Sequence, residues 1–261
     1  MLKDKKAKTS ESLSILAESI FNTVLKYSPA FRLCLSIIDV PMDESAMQKN
    51  TALIVVDVQN GFTPGGNLAV AHADEIIPCI NQLACYFDNV ILTQDWHPAD
   101  HISFAENHAG KQAFETIELP YGNQVLWPAH CIQATHDAEF HPALNIAKAQ
   151  LVIRKGYHQQ IDSYSAFMEA DHKTTTGLAG YLKERAIDTV FVVGIATDFC
   201  VAWTAIDACK LGFKTYVIAD ACKGIDLNGS LQHAWQEMLV HGVKRIYAKD
   251  IVNSNQVSST V

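Results

Sequence analysis

Four polar side chains with complementary chemistry each follow a short apolar run. The runs and the residues after them are Ala52–Val56 and Asp57, Asn89–Gln94 and Asp95, Gln150–Arg154 and Lys155, and Val190–Gly194 and Cys200. A carboxylate beside a thiol can accept its proton, and a nearby ammonium stabilises both anions and lowers the thiol pKa. If the fold brings these side chains together, they would make a cysteine nucleophile with its own base and cation.

The segment around Cys200 is the most informative part of the chain. Val190–Gly194 is a short β-branched run ended by glycine, which predicts a buried strand. The following residues, 200–212, have the pattern of a helix that Gly212 ends. Cys200 is therefore expected near a helix N-terminus, where free backbone N–H groups favour a thiolate and can hold an oxyanion. The alternative is an inert core cysteine, because free cysteines are often buried.

The four apolar runs are continuous rather than alternating, as in parallel strands that are buried on both faces. Helical patterns lie between them, over residues 76–87 and, more briefly, 177–185. This alternation predicts an α/β fold: a doubly wound, mostly parallel sheet flanked by helices in three Rossmann-like layers. Ligands bind beyond the carboxyl ends of such strands, so the four polar residues are expected to be neighbours there.

A second group of residues has the composition of a metal site. Asp95, His97 and His101 are close in sequence, and His130 follows in Trp127-Pro-Ala-His130. An aspartate and two histidines can bind Zn²⁺, Fe²⁺ or Mn²⁺ and leave positions open for water or substrate. These donors suit all three metals, and His101 is a candidate for an additional ligand. The alternative is ordinary surface or core histidines, since the chain has 11.

Five blocks of the sequence resemble the motifs of the nicotinamidases, which belong to the isochorismatase-like cysteine hydrolases. The blocks are Asp57-Val-Gln-Asn-Gly-Phe62, Gln94-Asp-Trp-His-Pro98 with His101-Ile-Ser-Phe-Ala105, Leu126-Trp-Pro-Ala-His-Cys131, Arg154-Lys-Gly156, and Val193-Gly-Ile-Ala-Thr-Asp-Phe-Cys-Val201. They occur in the family order between about residues 51 and 250. The resemblance implies a cysteine amidohydrolase that converts nicotinamide to nicotinate and ammonia through a thioester, in NAD salvage, and that also deamidates pyrazinamide.

The resemblance also implies a role for each site residue. Cys200 would be the nucleophile, Asp57 the proton-transferring base and acid, and Lys155 their electrostatic partner. Asp95, His97 and His130 would hold one divalent metal ion against the pyridine nitrogen. The ring pocket would be lined by Phe62, Trp127 and Tyr164. The backbone N–H groups of Ala196 and Cys200 would form the oxyanion hole, next to a cis peptide at Ile195-Ala196.

One position departs from the family pattern, and other functions stay open. The family often has aspartate where this chain has Gly61. A related amidohydrolase acting on an N-carbamoyl or ureido substrate would keep Asp57, Lys155 and Cys200, but such relatives generally lack the full metal set. A non-catalytic metal-binding or interaction protein on the same fold is the alternative from a different class.

Composition narrows the partners and the compartment. The chain has 261 residues, of which 49% are hydrophobic, enough for one substantial core. Its formal charge is −8 without a basic cluster at the predicted site, which argues against nucleic-acid binding. Seven cysteines without framework spacing suit a reducing, cytoplasmic location. The expected partner is the small substrate nicotinamide, with no membrane, and a homo-oligomer remains open.

The predicted hydrolase domain covers residues 51–252, between two segments of different character. Residues 1–50 open with lysines and then carry apolar residues at helical spacing, without an apolar run long enough to cross a membrane. Two interpretations of this segment remain. It is an amphipathic appendage, or the translation start has been assigned upstream of the true one at Met42 or Met47. Residues 253–261 are polar and serine-rich, which predicts a frayed tail.

Overall fold

The computed structural model describes residues 50–258, with side chains described as far as residue 253. The predicted N-terminal extension, residues 1–50, lies outside the described residues except for Asn50. The predicted boundary between domain and tail at residue 252 falls inside the last helix, Ala248–Ser258. The backbone of the predicted tail is thus helical as far as Ser258.

A six-stranded sheet forms the centre of the described residues, and each neighbouring pair in it is parallel. Its strands, in chain order, are β1 Thr51–Val56, β2 Val90–Asp95, β5 Leu151–Lys155, β6 Thr189–Ile195, β7 Lys214–Lys223 and β8 Lys244–Ile246. Their order across the sheet is β5-β2-β1-β6-β7-β8. A separate antiparallel hairpin pairs β3 Thr116–Leu119 with β4 Gly122–Val125.

Within the described residues, five α-helices connect or follow these strands. They are α1 Ile77–Leu83, α2 Leu178–Glu184, α3 Ala202–Lys210, α4 Ser230–Val240 and α5 Ala248–Ser258. Helix α1 is extended by 3₁₀ turns on both sides, Ala73–Ile76 and Ala84–Tyr86. Together they cover the predicted helical segment over residues 76–87 except for Phe87, which is extended. Among the described residues, no helix is both long and apolar enough to span a membrane.

The complete burial of the central strands explains why the sequence predicts them as continuous apolar runs. Every residue of β1, β2 and β6 is buried, as expected for parallel strands covered on both faces. The predicted α/β class and parallel sheet are therefore confirmed. The sheet also contains β7 and β8, which the sequence analysis did not predict, because β7 carries Lys214, Asp220 and Lys223 and β8 has only three residues.

The strand order places predicted catalytic residues at one crevice. From β1 the chain moves outward to β2 and β5, and it then returns to the other side of β1 with β6. This reversal makes a topological switch point between β1 and β6, where open α/β sheets bind ligands. Asp57 follows β1 directly, and Cys200 follows β6.

The helix after β6 differs from the prediction. The residues Thr197–Val201 form one π-helical turn, and α3 begins only at Ala202. Cys200 therefore lies inside this turn rather than at the first residue of an α-helix. π-helical turns are rare and often occur at functional sites.

Candidate active site

Asp57 is fixed by the strand beside it. Its backbone adopts a left-handed φ of 50° directly after β1. Thr93 in β2 accepts a hydrogen bond from the Asp57 backbone N–H at 3.1 Å. The Thr93 hydroxyl in turn donates to Asp57 Oδ1 at 2.5 Å. This two-way contact fixes the carboxylate, so that its second oxygen, Oδ2, faces the other site residues.

Lys155 connects the predicted catalytic residues. Its side chain is fully buried, and Nζ lies 2.8 Å from Asp57 Oδ2 and 3.5 Å from Cys200 Sγ. Nζ also donates to Asp95 Oδ1 and, at 3.2 Å, to the backbone carbonyl of Ser163. Burial alone opposes the charged form, but the two carboxylates raise the Lys155 pKa well above its ordinary value. The structure thus brings the other three predicted polar residues, Asp57, Asp95 and Cys200, around the Lys155 ammonium group.

The Cys200 thiol is less acidic than a position near a helix N-terminus and a lysine predicts. Burial raises the pKa of this thiol well above its ordinary value. Lys155 opposes that shift, while the charges of Asp57 and Asp95 add to it. Lys155 was expected to lower the thiol pKa, but burial and the carboxylates outweigh it. Cys200 therefore requires a base to become a nucleophile.

Asp57 has the properties of that base. Burial raises the pKa of its carboxyl to about 6, against the opposing effect of Lys155. One carboxylate oxygen each of Asp57 and Asp95 and the Cys200 sulfur all lie within 4.8 Å of one another. Asp57 Oδ2 has no partner with hydrogen-bond geometry among the described residues, despite its ion pair with Lys155. This oxygen is available to take the thiol proton.

Asp95, His97 and His130 form a compact donor group. Their donor atoms lie within 4.8 Å of one another, and all three side chains are buried. Asp95 Oδ2 lies 3.5 Å from His97 Nε2 and 3.8 Å from His130 Nε2. The other ring nitrogens contact backbone carbonyls at 2.8 Å, His97 Nδ1 that of Gly156 and His130 Nδ1 that of Pro128. A histidine that donates through Nδ1 presents the Nε2 lone pair, so this group fits a divalent metal.

Gly156 allows the close approach of His97. Its φ is +64°, and a Cβ there would lie 2.3 Å from the His97 ring atom Cε1. A larger residue would therefore displace His97. The glycine that follows the predicted cation thus positions a predicted metal donor.

His101 lies beside this donor group, and one ligand atom each of His97, His101 and Asp162 also lie within 4.8 Å of one another. Its Nδ1 lies 2.7 Å from Ser103 Oγ, and its Nε2 lies 3.2 Å from the backbone carbonyl of Ile161. The His101 and His97 rings are 4.3 Å apart, so His101 packs beside the group while both of its nitrogens are engaged. Burial lowers the pKa of His101 to about 4.

The three predicted ring-pocket residues line the cleft that contains Cys200. The residues that line this cleft include Phe62, Asp95, His97, Trp127, His130, Tyr164, Ala196, Phe199 and Cys200. The Trp127 indole N–H donates to the Tyr164 hydroxyl at 3.0 Å. Trp127 also packs edge-on against Phe199 at 4.9 Å. A cis peptide joins Ile195 to Ala196, at the position that the resemblance implied.

Several positioning residues were missed by the sequence analysis. Gln59 accepts a hydrogen bond from the Asp95 backbone N–H at 2.8 Å and donates to the Asp95 carbonyl at 2.9 Å. Thr93 and the Ser163 carbonyl complete the contacts of Asp57 and Lys155. The alternating Asp57-Val-Gln59 pattern could have indicated Gln59, whereas nothing local marks Ser163.

The departure at Gly61 also has a structural explanation. A Cβ at Gly61 would lie 2.6 Å from Asp137 Oδ2 and 2.8 Å from Cys131 Sγ. Asp137 uses that space to accept the Cys131 backbone N–H at 2.6 Å and the Asn67 backbone N–H at 3.1 Å. A carboxylate is thus present beside Gly61, but a distant part of the chain supplies it.

Comparison with known proteins places the chain in a family. The model of the isochorismatase domain matches residues 51–248. The chain belongs to the isochorismatase family. Of the curated proteins, a nicotinamidase from Acinetobacter baylyi is 74% identical over 203 residues, which cover 78% of this chain and 95% of that protein. The predicted resemblance is therefore confirmed.

Solved structures in the family agree with this fold. The Acinetobacter baumanii nicotinamidase/pyrazinamidase has a TM-score of 0.77 and 77% identity, covering 78% of this chain and 98% of that one. A Pyrococcus horikoshii pyrazinamidase solved in complex with zinc has a TM-score of 0.62 and 37% identity. That match covers 76% of this chain and 99% of the Pyrococcus chain.

Proposed function

We propose that this protein hydrolyses nicotinamide to nicotinate and ammonia through a thioester on Cys200, in NAD salvage, and that it also deamidates pyrazinamide. The observation that carries the proposal is the single buried Lys155 ammonium in contact with Asp57, Asp95 and Cys200. It links a nucleophile and its base to a metal-donor group within one cleft. The high identity to a nicotinamidase supports nicotinamide as the substrate.

The first half-reaction uses the proton affinity of Asp57. Asp57 Oδ2 accepts the Cys200 proton, and Lys155 stabilises the charges that remain at the site. The thiolate attacks the carboxamide carbon, and the backbone N–H groups of Ala196 and Cys200 hold the oxyanion. Asp57 then gives its proton to the leaving nitrogen. Ammonia departs and the acyl group stays on sulfur.

The second half-reaction reverses the proton transfer. Asp57 accepts a proton from water as the water attacks the thioester carbon. The tetrahedral intermediate collapses, nicotinate leaves, and Asp57 returns the proton to the Cys200 sulfur. The Asp57 carboxyl is suited to both directions because its pKa of about 6 lies close to neutral pH.

Asp95, His97 and His130 would hold one divalent metal ion, Zn²⁺, Fe²⁺ or Mn²⁺, and zinc is supported by the Pyrococcus complex. When bound, this ion supplies a Lewis acid that can bind the pyridine nitrogen and orient the carboxamide. Phe62, Trp127 and Tyr164 would enclose the ring. We also propose a cytoplasmic location, since the six cysteines of the described residues are all unpaired.

Ammonia release from nicotinamide tests the proposal directly. The wild-type protein is expected to release ammonia, and Cys200→Ala to lose that activity by about 10⁴-fold or more. Cys222→Ala is the matched control, because Cys222 is also buried but lies in β7. Activity retained by Cys200→Ala would contradict the mechanism. No turnover of nicotinamide by the wild type, with turnover of an N-carbamoyl amide, would favour the alternative amidohydrolase.

Metal removal tests the donor group separately. Chelation is expected to lower ammonia release, and adding back zinc, iron(II) or manganese(II) to restore it. Benzamide lacks the ring nitrogen and is expected to react more slowly than nicotinamide. Equal turnover of the two amides would argue against contact between the ring nitrogen and a metal.

A further inference from the structure

Asp198 is a buried carboxylate inside the turn that carries Cys200, yet it has no part in the proposed proton transfers. It lies in the π-helical turn Thr197–Val201, two residues before Cys200, and is 6% exposed. Within the described residues, every hydrogen bond of its side chain reaches the segment that leads from β7 into α4. Burying a carboxylate is costly unless it is hydrogen-bonded, so these partners are what stabilises Asp198 at this position.

Three donors from that segment converge on the Asp198 carboxylate. Oδ1 accepts the Ile225 backbone N–H at 2.9 Å. Oδ2 accepts the Asp226 backbone N–H at 2.8 Å and the Ser230 hydroxyl at 2.5 Å. Ser230 is the first residue of α4, so the carboxylate also lies near the positive end of that helix dipole. Because hydrogen bonds to a charged acceptor are stronger than neutral ones, Asp198 ties the Cys200 turn to residues that lie 27 to 32 positions later in the chain.

The segment that Asp198 holds is otherwise irregular. It follows the end of β7 and contains one 3₁₀ turn, Leu227–Gly229, before α4 begins. Asp226, Asn228 and Gly229 all have left-handed φ values, of 57°, 53° and 87°. Residues in this conformation do not continue a strand or an α-helix. The position of this segment therefore depends on contacts such as those with Asp198 rather than on the hydrogen bonds of the sheet.

Ile225 is part of the wall of the catalytic cleft. Its side chain is half-buried against the core, and it lines the cleft together with Phe199 and Cys200. Phe199 directly follows Asp198 in the π-helical turn, and Ile225 donates its backbone N–H to the same Asp198. One carboxylate thus connects two walls of the cleft that come from distant parts of the chain. The sequence analysis predicted neither Ile225 as a lining residue nor Asp198 as its support.

We propose that Ile225 completes the ring pocket and that Asp198 is its positioning residue, which holds Ile225 at a fixed separation from the turn that carries Cys200. This inference deepens the proposed function and rests on it for the choice of nicotinamide as the ligand. Within the described residues, Asp198 has no hydrogen bond or ion pair with either Asp57 or Lys155. Its loss should therefore weaken binding of the pyridine ring and leave proton transfer nearly unchanged.

Steady-state kinetics of nicotinamide hydrolysis by the full-length protein test this role in the Asp198→Asn variant. Asparagine has one acceptor oxygen in place of two, so one of the backbone N–H groups at residues 225 and 226 must lose its acceptor. KM is expected to rise about tenfold, the effect of one lost charged hydrogen bond, while kcat stays within about threefold. A role in stability alone would lower kcat with the folded fraction and leave KM unchanged. Asp226→Asn is the matched control, because it keeps an acceptor for the Leu231 N–H and its own N–H donor to Asp198, and it should change neither constant.

A double-variant cycle shows whether Asp198 acts through Ile225. Ile225→Ala removes most of that side chain from the cleft and is expected to raise KM about tenfold by itself. If Asp198 acts by positioning this side chain, adding Asp198→Asn to Ile225→Ala should raise KM by less than about threefold more. Hydrogen–deuterium exchange over residues 224–229 adds a readout that does not require turnover. The exchange should be about tenfold faster in Asp198→Asn and close to the wild-type rate in Asp226→Asn.

Three results would overturn the proposal: an unchanged KM in Asp198→Asn, effects on KM that multiply to about a hundredfold in the double variant, or unchanged exchange over residues 224–229. If the wild type does not hydrolyse nicotinamide, the proposed function fails, and the exchange measurement alone then decides whether Asp198 holds this wall of the cleft. Circular dichroism would check that each variant is folded. If Asp198→Asn does not fold, Ser230→Ala replaces it, since this change removes only the hydroxyl donor to Oδ2 and should raise KM about threefold.

Discussion

The catalytic cleft and a second pocket, of about 230 Å³, share the lining residue Tyr164, and buried carboxylates lie at both. Among the described residues, only the carboxylates at the catalytic cleft share a buried cation. Lys155 contacts both Asp57 and Asp95 in the catalytic cleft. Glu169 and Asp207 line the second pocket, and their ion-pair partners among the described residues are the more exposed His158 and Lys210, at 3.4 and 3.6 Å. Burial of a charge is costly unless it is paired and hydrogen-bonded. The same residue type is therefore used in two electrostatic settings within one domain.

The shared cation determines which carboxylate is charged. Burial opposes the charge of Asp95, but Lys155 and His97 hold its pKa well below the ordinary value. Asp57 keeps a pKa of about 6 because burial exceeds the effect of the same lysine. In the second pocket, burial raises the pKa of Glu169 to about 7 despite His158. The Asp57–Asp95 pair is thus divided into a fixed anion and a proton acceptor.

Removal of the shared cation Lys155 should have the largest effect on both stability and activity. In Lys155→Met, two buried carboxylates lose their common partner, so the metal-free protein should lose about 3–5 kcal/mol of unfolding free energy. Ammonia release should also fall below detection, because the cation that stabilises the proton transfer between Asp57 and Cys200 is gone. Urea unfolding after chelation and the ammonia assay measure the two effects.

Lys210→Met is the matched variant for the second pocket. Lys210 is about half exposed and lies 3.6 Å from Asp207, so its loss should change the free energy of unfolding by less than about 1 kcal/mol. Equal destabilisation by Lys155→Met and Lys210→Met would contradict the distinction between the two carboxylate pairs.

The catalytic cleft could be predicted from the sequence because its residues follow strands. Asp57 and Lys155 lie at or directly after the ends of continuous apolar runs, and parallel strands bring such ends to one sheet edge. The π-helical turn at Cys200 could not be predicted, since its residues have no pattern that distinguishes it from an α-helix. The protonation state of the Cys200 thiol depends on how completely it is buried, which the sequence alone does not give.

The second pocket had no comparable signal. Glu169 lies in the irregular segment between β5 and α2, and its partner Asp207 lies on α3. Only the tertiary fold places both beside the same pocket, and neither follows an apolar run. Asp207 on a helix would normally be interpreted as a solvent-exposed charge. Buried polar residues contributed by irregular segments are therefore the part of this molecule that required the structure.

Neutralising a carboxylate in the second pocket should change the pH dependence of stability. The pKa of Glu169 is raised from 4.5 to about 7 in the folded protein. The folded state therefore binds the extra proton between these values, and the stability that this proton provides is lost as pH rises toward 7. Glu169→Gln cannot lose a proton, so at pH 8 it should be about 1–3 kcal/mol more stable than the wild type.

Urea unfolding of both proteins at pH 5 and pH 8 measures this difference. At pH 5 the two should be close, since Glu169 is then mostly protonated in the wild type. The exposed Glu184→Gln variant should follow the wild type at both pH values. Parallel pH dependence in the wild type and Glu169→Gln would show that Glu169 is compensated after all.

A smaller change should tune the base of the catalytic pair without removing it. Asp57 must be ionised to accept the thiol proton, so kcat/KM for nicotinamide should fall as pH decreases below about 6. Thr93 donates to Asp57 Oδ1 at 2.5 Å and thereby lowers the pKa of Asp57. Thr93→Val removes this donor and should move the acidic limb of the profile upward by about half a pH unit to one unit.

Thr93→Ser keeps the hydroxyl and should retain the wild-type limb. A uniform decrease in kcat/KM at all pH values in Thr93→Val, with no shift of the limb, would show that Thr93 only supports the backbone of Asp57 and that its hydroxyl does not set the proton affinity of the base.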